Sequence, residues 1–173
     1  MRILRITKCM IFIAIGMTGF VVNPVAAQDT TILEISGAIA SCETRSPAGE
    51  CAVRFNFEDL LAIGTTAIAT VTPYTDGIPV FEGVLLRDLL DHVGAEDAPM
   101  KLVALNDYRV TIPAQDPHEH DVLLAMKRDG EPMPVRDRGP IWVIYPSEDN
   151  AALDVLIHDH KMVWQLSEIM VLK

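Results

Sequence analysis

The chain has 173 residues, half of them hydrophobic, with 14 Lys and Arg against 24 Asp and Glu for a formal charge of −10. That length suffices for one domain with a packed core. The acidity repels nucleic acid and anionic lipid surfaces, and no basic stripe offsets it, which leaves small molecules, cations or proteins as partners.

Arg2, Arg5 and Lys8 form a basic start, Met10 to Val22 an apolar stretch, and Val25-Ala26-Ala27 a small-residue cleavage site ahead of Gln28. The apolar stretch falls short of the roughly 20 residues that cross a bilayer, so a secretory signal cut after Ala27 is expected, with no stable membrane insertion afterwards. Cys9 lies near the start of that segment, away from any junction for a lipid anchor. The expected mature chain, 28–173, is a single periplasmic or secreted domain; losing the three positive charges takes its formal charge from −10 to −13. It keeps two cysteines, Cys42 and Cys51, an even pair that reads as a disulfide in an oxidising compartment. Closing so short a loop contributes on the order of 2.5 to 3 kcal/mol.

Thr31 to Ala40 is β-branched and roughly alternating, a strand entering the cysteine loop, and Ala52 to Phe55 is its return. Asn56 stands where an N-cap should, with Glu58 and Asp59 at the positive end of a short helix that Gly64 stops. Thr65 to Thr72 reads as a strand ended by Pro73, and Pro73 to Gly77 as a turn. Val80 to Val84 is a short strand, and Leu86, Leu89, Leu90 and Val93 stand on one face of a helix that Gly94 closes. Lys101 to Leu105 and Tyr108 to Pro113 are strands joined at Asn106-Asp107, followed by a polar loop from Gln115 to Asp121.

Leu123 to Pro146 is the most informative stretch. Two apolar runs, Leu123 to Met126 and Ile141 to Tyr145, flank a tight Asp129-Gly130 turn and a loop stiffened by Pro132, Pro134 and Pro140. Arg136 and Arg138 on that loop are placed to face an anion, although pairing of Asp137 with a neighbouring Arg is the ordinary reading. Ser147 to His160 is a connection with a helical turn near Ala151 to Leu156, and Met162 to Leu172 is a closing strand. Many short strands with few helices predict an α+β fold with mixed or antiparallel sheets.

Asp129 to Met133 (DGEPM), with Gly139 to Pro146, resembles the signature of the oxidoreductase molybdopterin-binding domain, the sulfite-oxidase-like fold. Phe57 to Leu61, Phe81 to Gly94, Ala104 to Tyr108 and Val163 to Leu166 match the same family in order along the chain. The resemblance implies a molybdenum atom held by a pterin dithiolene and by one cysteine thiolate, a soft ligand suited to a metal that changes oxidation state. That cysteine is due on or just after Thr65 to Thr72, where none occurs. No cofactor is therefore expected, molybdopterin being the one the family implies. The expected function is a small-ligand binding, sensory or accessory module. The alternative is an active molybdopterin-dependent oxidoreductase holding its cofactor without a cysteine.

By the family layout, Thr72 to Asp76, Asn106 to Arg109 and Arg136 to Arg138 surround the cleft, making Tyr74, Asp76, Asn106, Tyr108, Arg109, Arg136 and Arg138 the candidate ligand-binding residues. Their mixture suits a small anionic or zwitterionic ligand, and a protein partner in a sensory or redox system is the further expectation. His118-Glu119-His120 and His158-Asp159-His160 are each half of a zinc or copper site, for which two solvated loops are the commoner explanation. Scattered methionines read as core filler, and no nucleophile elbow, P-loop or dinucleotide fingerprint is present.

Overall fold

The computed structural model describes residues 30–147 and 158–173. The expected leader and the helical turn expected at Ala151 to Leu156 lie outside the described residues. Eleven strands form two sheets with three short helices among the described residues, the α+β architecture expected.

The first sheet has the order β2-β3-β1-β11-β6-β7. It holds β1 (Leu33–Gly37), β2 (Thr44–Arg45), β3 (Cys51–Phe55), β6 (Met100–Ala104), β7 (Arg109–Ile112) and β11 (Leu166–Val171). All its pairings are antiparallel except β1 with β11, where Ile35 stands opposite Ile169. The second sheet runs β10-β8-β5-β4, from β4 (Thr66–Ala69), β5 (Val80–Leu85), β8 (Leu123–Arg128) and β10 (Trp142–Ile144), with β9 (Glu131–Pro132) folded back on β8.

The apolar runs that flank the Asp129-Gly130 turn are continuous because the second sheet is covered on both faces. Leu124, Met126 and Val143 point into the main core with the first sheet and the helices. Their neighbours Leu123, Ala125, Trp142 and Ile144 form a second cluster with Phe81, Leu85 and Met133 on the other face, against which Tyr74 packs. The candidate site is built on that second cluster.

The helices follow their sequence signals. Asn56 caps α1 (Phe57–Ile63): its side chain accepts from the Asp59 backbone N–H while the Asp59 carboxylate accepts from the N–H of Asn56. In α2 (Leu86–Val93) the four residues of the apolar stripe are all buried, and Gly94 closes the helix at φ +62°. Asp129 and Gly130 both take positive φ, as a two-residue hairpin turn between β8 and β9 requires.

Several expectations need correction. The returning strand starts at Cys51, one residue early, and pairs with the short β2 inside the cysteine loop. The polar loop Gln115 to Asp121 contains α3 (Asp116–Glu119), whose Asp116 is only 3% exposed. β4 ends at Ala69 instead of Thr72; there the Thr70 hydroxyl turns away to accept the N–H of Ser147. The closing strand begins at Leu166, since Trp164 bridges to Trp142 of the other sheet before β11 starts. Met100, Met126, Met133 and Met162 are buried, as core filler should be. No helix among the described residues is long and apolar enough to cross a membrane. Cys42 and Cys51 form the expected disulfide, which fits an oxidising location.

Candidate functional site

Beyond β10 and the short 3₁₀ turn at Val135–Asp137, three connecting segments meet over Trp142, carrying Tyr74, Arg138 and Trp164. The turn fixes Arg138 in the left-handed region at φ +66°, and the Arg138 carbonyl accepts the N–H of Gln165 at 2.9 Å. Gln165 in turn donates its side-chain amide to the Val135 carbonyl at 2.7 Å. The arginine loop is thereby laced to the segment that leads into β11.

The Arg138 guanidinium lies 5.0 Å from the Trp142 ring centre, 5.6 Å from that of Trp164 and 5.7 Å from that of Tyr74. It donates to the Tyr74 carbonyl at 3.1 Å and pairs with Asp137 at 3.3 Å. Asp137 also takes Arg128 at 2.6 Å, so the ion pairing expected within the arginine cluster is present. Arg138 thus pins an aromatic cluster instead of reaching into open space. Tyr74 meets Trp164 edge-on at 5.0 Å, and Phe81 meets Trp142 edge-on at 5.3 Å beneath them.

Tyr74 stands on the turn after β4, where its backbone N–H donates to the Thr72 hydroxyl. Its phenol donates to Asp159 Oδ1. Burial first, and then that hydrogen bond and the charge of Asp159, push the phenol pKa up to about 12. The phenol therefore stays protonated at neutral pH and donates to the Asp159 carboxyl oxygen. Across from it, the Asn106 side chain accepts the N–H of Tyr108 to shape the β6–β7 turn, and the Tyr108 phenol donates to the His160 carbonyl at 2.7 Å.

Between these groups lies an open cavity of about 230 Å³, lined by Tyr74, Asn106, Tyr108, Asp159, His160, Met162, Val163 and Trp164. Of the seven sequence candidates, the structure brings Tyr74, Asn106 and Tyr108 to this cavity. Arg138 stands behind the rings and, with Arg136, lines a more open hollow on the far side of Trp164. Arg109 turns to Asp107 at 2.9 Å on the exposed flank, and Asp76 is exposed on its turn; neither lines the cavity. Asp159 and Trp164 were not among the candidates. Asp159 stood within a histidine motif read as a solvated loop, and Trp164 within a motif read only for fold.

A second polar cluster lies near the first. Asp116, on α3, accepts from the Tyr145 phenol and from the Lys161 ammonium, each at 2.8 Å. Burial above all, then the hydrogen bond to Asp116, pushes the Tyr145 phenol far above its ordinary range. The His158 ring stacks on Tyr145 at 4.7 Å, and His120 lies 4.5 Å from His158. The two histidine motifs thus meet through one residue each. Among the described residues no group of three or more His, Cys, Asp or Glu side chains is disposed to hold a metal ion.

The donors present do not fit a thiolate-bound metal. No cysteine stands on β4 or on the turn that carries Tyr74. Cys42 and Cys51 are bonded to each other at β2 and β3, the edge of the first sheet opposite β7 and the cavity. Sulfur at the cavity wall comes from the neutral thioether of Met162. The cavity is also smaller than the roughly 300 to 1,000 Å³ usual for drug-sized ligands.

A family model described as the oxidoreductase molybdopterin binding domain matches residues 50–148, from the start of β3 past the end of β10. No curated protein matches the chain.

Proposed function

The chain belongs to the oxidoreductase molybdopterin-binding domain family, and on that premise we propose that it is an exported member that no longer performs molybdenum catalysis and binds a small ligand in the cavity beside Tyr74. The two-sheet α+β fold is that of the family, the sulfite-oxidase-like arrangement. Fold membership alone does not specify an activity.

One observation carries the reading: on the turn after β4, near where the resemblance places the metal's thiolate, this chain has Tyr74 hydrogen-bonded to Asp159, edge-on to Trp164 and beside the Arg138 guanidinium. A phenol kept protonated by burial and a carboxylate are hard oxygen donors, poorly matched to a metal that needs soft sulfur. A set of fixed rings with a few convergent polar groups is instead the make-up of a small-molecule site. Removal of the leader after Ala27 and residence in the periplasm complete the proposal, supported by the disulfide. A sensory or accessory role beside a protein partner follows from a domain that binds without turnover.

The test is elemental. The chain is exported in a host able to make the cofactor, purified without chelators, and assayed for molybdenum and pterin. Both should be far below one equivalent per chain. Stoichiometric metal would overturn the proposal in favour of an active molybdopterin-dependent oxidoreductase that holds its cofactor without cysteine.

A further inference from the structure

The cavity between the β6–β7 turn and residues 159–164 has a composition that narrows its ligand. Among the described residues three aromatic side chains line it, Tyr74, Tyr108 and Trp164, and no lysine or arginine does. Among the described residues the side chain of formal charge on its wall is Asp159, whose Oδ1 accepts the Tyr74 phenol and whose Oδ2 has no partner there. The arginines that could have received an anion are directed elsewhere. Arg138 is held on the Tyr74 carbonyl and Asp137, and Arg109 on Asp107.

We propose that this cavity binds a small organic cation, an ammonium or quaternary ammonium group whose charge faces Asp159 and whose methyl or methylene groups lie against Tyr74, Tyr108 and Trp164. This rests on the reading of the cavity as a small-ligand site and names the ligand's chemical class. The face of an aromatic ring carries negative quadrupole density, and several rings about one cation add their attractions. The cluster already shows that preference, since the Arg138 guanidinium lies within 6 Å of the centres of Tyr74, Trp142 and Trp164. Asp137 is shared between Arg128 and Arg138, and Asp159 is the carboxylate that faces the cavity. Asn106 supplies an amide at the rim that suits a hydroxyl or carboxylate on the same ligand, so a zwitterion enters ammonium first. The volume of about 230 Å³ leaves room for a group of tetramethylammonium size and for a further substituent on it. The formal charge of −10 on the whole chain draws cations toward it at low ionic strength.

The experiment follows the Trp164 indole N–H resonance of the full exported chain, disulfide intact. Tetramethylammonium chloride is titrated against sodium chloride at equal ionic strength, with sodium phosphate as the anion arm. A saturable shift with tetramethylammonium, absent with sodium and with phosphate, is expected. Asp159→Asn, with thermal unfolding showing it folded, should weaken that binding about tenfold or more, since it removes a unit charge within a few ångströms of the ligand. No saturable response to tetramethylammonium, or an unchanged affinity in Asp159→Asn, overturns the inference. A saturable response to phosphate alone overturns it as well, while leaving the cavity a ligand site. Metal and pterin content of the same sample reports separately on the reading beneath it.

Discussion

Arg138 illustrates how the partners of one side chain, more than its charge, decide its use. A guanidinium facing solvent can grip a carboxylate in two-pronged fashion. Here its donors go to the Tyr74 carbonyl and to Asp137, and its plane lies among three rings. Tyr74 is the residue whose state can be followed directly. Its phenol pKa is raised from the ordinary 10.0 to about 12 by burial and by Asp159. The unfolded chain therefore releases this proton first. The contribution to stability is complete below about pH 10 and is lost as the pH rises toward about 12. Denaturant titrations between about pH 8.5 and 11.5 should show the native chain losing stability more steeply than Tyr74→Phe. Parallel pH profiles would refute the assignment.

At the scale of the elements, β5 and β8 lie so close that only glycine fits at position 83. A Cβ there would stand 2.0 Å from the Leu124 carbonyl oxygen, a backbone atom with no easy retreat. Gly83→Ala should cost about 3 kcal/mol or more, read from the urea midpoint, and a loss under about 1 kcal/mol would mean that the strands part easily. Elements governed by local chemistry were legible from the sequence. Asn56 with Asp59 announced α1, the spacing of Leu86, Leu89, Leu90 and Val93 announced α2, and Asp129-Gly130 announced its hairpin. Features that depend on distant partners were not. Asp116 looked like part of a polar loop because the residues that justify its burial, Tyr145 and Lys161, are 29 and 45 positions away. The cavity was half legible for the same reason: Tyr74, Asn106 and Tyr108 could be placed by family layout, but the direction of Arg138 is set by Trp142 and Trp164.

Across the whole molecule, Asp116 joins three segments that sequence keeps apart: α3, the end of β10 and the 3₁₀ turn at Asp159–Lys161. Its side chain is 5% exposed and that of Lys161 15% exposed, so the ion pair is shielded from solvent. Asp116→Ala strands a largely shielded ammonium and a buried phenol together. It should destabilise the chain by about 3 to 5 kcal/mol, measured by chemical denaturation. A change within about 0.5 kcal/mol would show that these segments hold together without it.

The pairing of β1 with β11 has a consequence for assembly. The hairpin units β2-β3-β1 and β6-β7 touch different sides of β11 and are not neighbours of each other. β11 acts as a keystone, and a ribosome-bound fragment ending before Leu166 would hold two half-sheets with nothing between them. Closure of the first sheet therefore depends on β11, the strand that both half-sheets share.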